Sequence, residues 1–220
     1  KQEGNYARQL QTILRREPDV VMTSDCQDGE TAHLAAKAAK EGKRIYIGID
    51  QKDCFAALER LRKLADATDL VADVLRVVTC QRLIRKLCVA CRIAYKPDIT
   101  LLQKLNLPVD KIQQFYRIPR PEERVDQKGN PIICPNCQNS GYYGRTGLFE
   151  MLVIDDPIRE LIRKGAPTTA MRELARKNGM LYLKEVGLQK VIEGITGMQE
   201  MLRVLSDKEE NPGIAGRKGG

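Results

Sequence analysis

The chain has 220 residues, of which 42% are apolar, and a formal net charge of +8 at pH 7. This length and composition predict a globular protein with a buried core and one and a half to two domains. No apolar run approaches the roughly 18 residues of a membrane-spanning helix, and the first ten residues do not resemble a signal peptide, so we expect a cytoplasmic protein.

The first 97 residues alternate between helix-like and strand-like patterns, which predicts an α/β fold with a mostly parallel sheet covered by helices. A short buried strand is predicted within DVVMTSD (19–25), and Asp28 is suited to cap the alanine-rich helix that Gly42 then ends. Further strands are expected at 44–49 and 76–87, and further helices at 7–17, 53–65 and 69–75.

The C-terminal third has clear signals for a strand and for helices. The strand is predicted over 144–154. Four helices follow, and their predicted starts are Asp156, Thr168, Val186 and Thr196. In the last of these helices Thr196 and Gln199 have the spacing of a capping box. We expect the tail, 207–220, to be mobile.

Four of the seven cysteines form two C-x-x-C pairs, Cys88 with Cys91 and Cys134 with Cys137. Between the pairs the regular alternation stops, and the polar segment 118–131 has too few apolar residues to hold itself in place. The spacing lets both sulfurs of each pair reach one ion, and Zn²⁺ prefers four thiolates in a tetrahedron. We therefore predict one structural Zn²⁺ site, with a redox-active C-x-x-C pair and four free thiols as the alternatives.

Basic residues flank the first cysteine pair, and we expect Arg85, Lys86 and Arg92 to help offset the negative charge of the thiolates. The other three cysteines lie in or beside apolar stretches and are predicted to be buried packing residues. They are Cys26, Cys54 and Cys80.

Three carboxylates, Asp19, Asp25 and Asp28, lie at the ends of the first predicted strand. Carboxylates at strand ends either coordinate Mg²⁺ or cap a helix. Their positions in the sequence, taken alone, favour helix capping. His33 is the only histidine, and on the solvated face of the alanine-rich helix it is not expected to be catalytic.

A phosphate-binding loop of the form G-x-x-x-x-G-K-[ST] does not occur in the 220 residues. The backbone N–H groups of such a loop hold the phosphates of a nucleotide, so the main sequence signal for nucleotide binding is missing here. Aromatic residues make up only 5% and do not alternate with basic ones, which argues against stacked nucleic-acid bases.

Three stretches together carry a resemblance to a known family. They are QRLIRKLCVAC at 81–91, CPNCQNSGYYGRTGLFEMLVIDDPIRELI at 134–162 and VGLQKVIEGITGMQEMLRVL at 186–205. A strand running into one C-x-x-C, and a second C-x-x-C followed by G-Y-x-G-R-T-G, is a rare combination. On these residues the chain resembles the C-terminal half of the type II secretion and type IV pilus assembly ATPases, over about residues 4–205.

The resemblance implies the C-terminal part of a RecA-like P-loop NTPase core with a zinc-binding four-cysteine insertion and a C-terminal helical domain. The implied parts are a partial ATPase core at 1–87, a zinc-binding segment with the four cysteines at 88–145, a strand and helical domain at 146–206 and a flexible tail at 207–220. Such proteins work as cytoplasmic hexamers peripheral to the bacterial inner membrane, docked on platform proteins of secretion or pilus assembly. Zn²⁺ would belong to this part, ATP and Mg²⁺ only to the complete protein if it is active, and no nucleic acid is expected.

The resemblance also shows departures from the family at catalytic positions. The family strand that matches 20–25 ends in Gly-Glu, with an arginine two positions after the glutamate. Here these positions hold Ser24, Asp25 and Gln27. Asp25 therefore occupies the position of the catalytic carboxylate but is one methylene shorter.

A second departure follows the strand at 44–49, which in the family leads into Thr-Leu-His-Thr, a motif whose histidine senses the γ-phosphate. Asp50 stands at the position of that histidine. The family's phosphate-binding loop would lie upstream of Lys1.

These departures favour the C-terminal part of a motor ATPase that does not itself hydrolyse ATP, and they leave open whether the complete protein does. The alternative is a non-enzymatic (pseudo-ATPase) assembly subunit that docks on the inner-membrane secretion platform or joins a mixed hexamer. A third hypothesis, a zinc-ribbon protein that binds nucleic acid, has weaker support.

Overall fold

The computed structural model describes residues 6–206, and the described part of the chain contains nine α-helices and six β-strands. The helices are α1 Tyr6–Leu14, α2 Gly29–Lys40, α3 Cys54–Ala65, α4 Thr68–Val74, α5 Ile99–Lys104, α6 Asp156–Arg163, α7 Thr168–Lys177, α8 Leu183–Ile192 and α9 Met198–Leu205. The strands are β1 Val20–Thr23, β2 Arg44–Ile47, β3 Val77–Leu87, β4 Ile93–Tyr95, β5 Phe115–Arg117 and β6 Tyr142–Val153. The tail predicted to be mobile, 207–220, lies outside the described residues.

The chain forms two compact units, each assembled from two stretches of sequence. Among the described residues the first unit comprises 6–82 and 148–186, and the second comprises 83–147 and 187–206. The strands β3 and β6 and the helix α8 each contribute residues to both units. The domain boundaries expected from the family resemblance remain a prediction about which segments fold independently.

In the first unit β1 and β2 pair in parallel, with a register that runs from Val20 opposite Arg44 to Thr23 opposite Ile47. Val21 packs with Leu10 and Ala35, which brings α1 and α2 onto one face of this pair. The other face is exposed, and Met22 there is 77% accessible. The prediction that this strand is buried is therefore wrong for three of its four residues, because the described helices cover only one face.

The helices of the first unit begin at side-chain caps. The carboxylate of Asp28 accepts hydrogen bonds from the N–H (2.7 Å) and the hydroxyl (2.8 Å) of Thr31, so its predicted role as the cap of α2 is confirmed. Asp53 caps α3 in the same way through the N–H of Ala56, at 2.8 Å. Gly42, with φ at +95°, follows the end of α2 in the left-handed region that glycine tolerates.

The strands β3 and β6 pair with each other and run antiparallel. The N–H of Ile154 donates to the carbonyl oxygen of Arg76 at the start of β3, and the N–H of Cys88 donates to Gly141 at its end, both at 2.9 Å. The expectation of a mostly parallel sheet is therefore wrong, since among the described strands only β1 and β2 are parallel. The α/β class itself is confirmed.

The segment between the two cysteine pairs, in the second unit, contains a helix and two short strands, whereas the dependence of the polar stretch 118–131 on a bound metal stays a prediction. The antiparallel strands β4 and β5 form a small sheet, and Phe115 at its edge is fully buried. Leu102 of α5 is buried too. The guanidinium of Arg117, at the end of β5, binds both carboxylate oxygens of Glu123 in the polar stretch at 2.6 Å, and Arg124 donates to the carbonyl oxygen of Pro119. A few apolar side chains outside the polar stretch and arginine hydrogen bonds to it therefore contribute to the structure of this segment.

The helices α6 and α7 begin at Asp156 and Thr168, as predicted. The predicted capping box of α9 is wrong. Thr196 is fully buried, and its hydroxyl donates to the carbonyl oxygen of Arg85 at 2.9 Å instead of capping the helix. The helix begins at Met198, and its N-cap residue is Gly197, which has no side chain to form a cap. Among residues 6–206 no helix is long and apolar enough to span a membrane.

Candidate functional site

The two C-x-x-C pairs come together in the second unit and form one cluster of four sulfurs. The Sγ atoms of Cys88, Cys91, Cys134 and Cys137 all lie within 4.8 Å of one another. Cys88 and Cys134 are 3.8 Å apart and Cys91 and Cys137 are 3.6 Å apart, distances far too long for disulfide bonds. This cluster can hold a metal ion.

The spacing of the sulfurs fits a tetrahedral metal site. With metal–sulfur bonds of about 2.3 Å, a tetrahedron has sulfur–sulfur edges of roughly 3.8 Å. Burial raises the pKa values of the Cys88 and Cys91 thiols, so the thiolates of these residues need a compensating positive charge. At Cys134, the backbone N–H groups of Cys137 and then Asn136 lower the thiol pKa to about 7. The four sulfurs therefore have the spacing that a tetrahedral site for a soft divalent ion requires. The positive charge of such an ion would stabilise the buried thiolates.

Backbone turns position the sulfurs. In the first pair the N–H groups of Cys91 (3.2 Å) and Arg92 (2.9 Å) donate to the carbonyl oxygen of Cys88. In the second pair the N–H of Gln138 donates to Cys134, and Gln138 and Asn139 both have positive φ. Gly141 follows with φ at +75°, and a Cβ at this position would lie 2.4 Å from a methyl carbon of Ile118. The glycine is therefore required where the second turn meets the polar segment.

The cysteine cluster is hydrogen-bonded to the turn between α8 and α9. The N–H of Leu87, next to Cys88, donates to the carbonyl oxygen of Ile195 at 2.8 Å. The guanidinium of Arg92 donates to the carbonyl oxygen of Gly194 and lies 4.1 Å above the ring of Tyr116. Together with the bond from Thr196 to Arg85, these contacts hold the α8–α9 turn, residues 193–197, against the first cysteine pair.

Arg85 does not offset the negative charge of the thiolates, contrary to expectation. Its guanidinium binds the fully buried carboxylate of Glu200 at 2.6 and 2.9 Å and lies 3.9 Å above the ring of Tyr142. Arg203 also binds Glu200, at 2.7 and 2.8 Å. Burial by itself would raise the pKa of Glu200, but the hydrogen bonds from Arg203 and Arg85 outweigh it and lower the pKa to about 2.

The carboxylate of Asp25, predicted to mark the degenerate catalytic position, is half-buried and bound by its own loop. One oxygen accepts the N–H of Cys26 at 2.8 Å, and the other accepts the side-chain amide of Gln27. The hydroxyl of Thr23 donates to the main-chain carbonyl of Asp25 at 2.6 Å. Gln27, at the position of the family's arginine, thus donates a hydrogen bond to Asp25, at the position of the family's glutamate.

The other candidate residues do not join Asp25 in a cluster. Asp28 caps α2, and the side chains of Asp19, Asp50 and His33 are exposed. The ends of β1 and β2 do meet: a Cβ on Gly48 would lie 2.2 Å from the carbonyl oxygen of Ser24. This backbone contact leaves no room for any side chain at position 48.

Sequence reasoning missed a buried carboxylate in the first unit. Glu150 of β6 is 3% exposed, and its two oxygens accept the N–H groups of Cys54 at 2.9 Å and Leu183 at 3.2 Å, the first residues of α3 and α8. The sequence signal for this burial was the alternation of side chains along β6, which places Glu150 on the same face as the buried Leu148 and Leu152. The predicted burial of Cys26, Cys54 and Cys80 is confirmed.

Solved structures of ATPases share this fold. The ATPase DotB of Legionella pneumophila matches with a TM-score of 0.58 at 20% identity, covering 90% of this chain and 41% of that one. The pilus retraction motor PilT with bound ADP matches with a TM-score of 0.58 at 15% identity, covering 93% of this chain and 45% of that one. These likenesses confirm the predicted fold class, and the cysteine cluster within this fold can hold a metal ion.

The sequence matches longer proteins of secretion and pilus systems. The type IV pilus assembly ATPase PilB of Thermus thermophilus is 35% identical over 199 residues, and the type II secretion system protein E of Aeromonas hydrophila is 34% identical over 206. The matches cover 90% and 93% of this chain but only 21% and 38% of those proteins. The family model described as type II/IV secretion system protein matches residues 1–203, and the chain therefore belongs to this family.

Proposed function

We propose that the chain is the C-terminal portion of a type II secretion or type IV pilus assembly motor ATPase, which powers or regulates assembly of a pseudopilus or pilus. The observation that carries this proposal is the family match over 1–203. Both relatives, of which PilB is named as an assembly ATPase, are much longer than this chain, so the proposed motor activity is that of a longer protein with a complete ATPase core.

We infer that the four cysteines hold Zn²⁺ in a structural role. Two observations support zinc: the sulfur–sulfur distances of 3.6 and 3.8 Å, and a ligand set made only of thiolates. Within residues 6–206 no histidine or carboxylate joins the four sulfurs, so no open coordination position for chemistry is expected. The ion would fix the ends of the segment between the two pairs.

We also propose that this part of the protein has no ATPase activity of its own. A phosphoryl-transfer site must hold the phosphates, the metal ion and the attacking water together. In support, both oxygens of Asp25 are already bound by Cys26 and Gln27, and Asp50 brings negative charge to the position of the family's phosphate-sensing histidine. The same observations favour the second candidate, a pseudo-ATPase subunit that contributes structure to a platform-bound assembly.

The proposed setting is cytoplasmic and peripheral to the bacterial inner membrane. There the complete protein would assemble as a hexamer and dock on platform proteins. The support is the secretion and pilus assembly named for the relatives. Because the relatives include proteins of type II secretion and of type IV pilus assembly, the proposal covers both systems.

The test of function is deletion of the encoding gene in the source bacterium, followed by assays of type II protein secretion and of surface pili. Loss of either process, restored by the wild-type gene, is expected. Unchanged secretion and piliation would contradict the proposal. Titration calorimetry of this chain with Mg-ATP tests the separate claim of inactivity: no saturable binding in the micromolar range is expected, and a micromolar site would overturn it.

A further inference from the structure

A cavity of about 410 Å³ opens in the second unit beside the cysteine cluster. Its lining includes Cys88 of the first pair and the adjacent Val89, Tyr143 of β6, and Gly194 and Ile195 of the α8–α9 turn. The turn is held in place by the hydrogen bonds from Leu87 and Arg92. The cavity is therefore largely preformed, which lowers the entropic cost of binding.

Two large side chains at the cavity are strongly exposed. Val89 is 74% accessible and Tyr143 is 65% accessible. Single exposed apolar residues are ordinary, but apolar side chains gathered at a concave site are typical of surfaces that bind another molecule.

The charge of the cavity is positive. Lys86 lines it, and among the described residues no ion pair involves its ammonium group. Arg92 adds a second positive charge, and none of the described lining residues carries a carboxylate.

The described part of the second unit, 83–147 and 187–206, has 13 Lys and Arg against seven Asp and Glu. A divalent ion held by four thiolates would contribute a formal charge of about −2 and leave the unit basic.

We propose that this cavity, lined by Lys86, Val89 and Tyr143, is the docking site for an acidic segment of a partner protein. A carboxylate of the segment pairs with Lys86, and an adjacent apolar side chain packs against Val89 and Tyr143. The second unit of another copy is a poor occupant, because two basic units repel each other. A flat membrane surface does not fill a concave site. The proposal is independent of ATP hydrolysis.

Fluorescence anisotropy tests this with a labelled peptide, Glu-Asp-Leu-Phe-Asp-Glu, blocked at both ends, and a matched peptide in which Gln and Asn replace the acids. The metal-loaded chain is expected to bind the acidic peptide saturably with Kd below about 1 mM, and to bind the uncharged peptide at least about tenfold more weakly. Raising NaCl from about 50 to about 500 mM should weaken the first interaction.

Lys86→Glu is expected to weaken binding of the acidic peptide at least about tenfold, whereas Lys104→Glu, on an exposed lysine of α5 outside the cavity, should change it less than about twofold. Zinc content and circular dichroism of both variants verify their folds. Val89→Ser, which removes the apolar contact without changing the charge of the cavity, should weaken binding as well.

Equal loss in the two lysine variants would show that only the general charge of the unit matters and would overturn the proposal. So would the absence of binding below about 1 mM. Phosphatidylglycerol vesicles and analytical ultracentrifugation test the other occupants. Vesicle binding that Lys86→Glu abolishes, or self-association that it abolishes, without any peptide binding, would assign the site to lipid or to a second copy and reject the acidic partner.

Discussion

Arg85 of β3 and Glu200 of α9 are joined by three hydrogen bonds, from the backbone N–H, Nε and Nη2 of Arg85, at 3.2, 2.9 and 2.6 Å. The carboxylate is completely inaccessible, while the guanidinium is partly exposed. Since β3 runs directly into Cys88, this pair fixes α9 to the strand that presents the first cysteine pair.

The Arg85–Glu200 pair predicts a pH dependence of stability. The carboxyl pKa is depressed to about 2 in the folded protein, below about 4.3 in an unfolded chain. Its contribution is therefore present above about pH 4.3 and is lost as the pH falls toward about 2. Urea unfolding of the wild type at several pH values across this window should show the loss.

Glu200→Gln should lower the free energy of unfolding at pH 7 by about 2 kcal/mol, a value moderated by the partial exposure of both arginines. In the variant the decline between about pH 4.3 and 2 should be smaller than in the wild type. Parallel pH profiles of the two proteins would show that Glu200 is not the group responsible.

Removal of the metal should loosen more than the cysteine turns. Because Leu87 and Arg92 bond to Ile195 and Gly194, we expect a chelator to increase hydrogen exchange in the α8–α9 turn (193–197) as well as in 88–92 and 134–141. The helices α6 and α7 of the first unit provide the internal reference and should be unaffected. Exchange that rises equally in α7 would indicate global unfolding and contradict the localised coupling.

Two aspartates of the β1–α2 loop should differ in their effect on stability. Asp28→Ala removes the cap of α2 and should cost about 1 kcal/mol. Asp25→Asn keeps an oxygen for the N–H of Cys26 and loses only a contact with the exposed Gln27, so it should cost less than about 0.5 kcal/mol. Urea unfolding of both variants tests the order, and a larger effect at Asp25 would be evidence against its assigned surroundings.

The buried carboxylate of Glu150 should be important for the first unit. In Glu150→Gln the side chain has only one acceptor oxygen for the two N–H donors, those of Cys54 and Leu183. Its NH₂ group then faces the second donor, which loses its acceptor. The expected loss is about 2 kcal/mol. Glu173→Gln on the exposed side of α7 is the matched control, expected within about 0.5 kcal/mol of the wild type. Indistinguishable unfolding midpoints for the two variants would disprove the role of Glu150.

Sequence alone was sufficient for features that depend on neighbours along the chain. Asp28 and Gly42 marked the start and end of α2, because capping and left-handed turns are determined within a few residues. The spacing of Cys88 with Cys91 and of Cys134 with Cys137 predicted their association, since two residues between cysteines let both sulfurs face one point.

Only the tertiary structure decided which long-range partner each polar side chain has. Thr196 has the spacing of a helix cap yet donates to Arg85, and Arg85 lies near the thiolates in sequence yet binds Glu200, 115 residues away. Glu150 is buried because β6 places it between the N-termini of two helices. Such choices follow from the desolvation of polar groups in the folded core, where each must find a partner that local sequence does not specify.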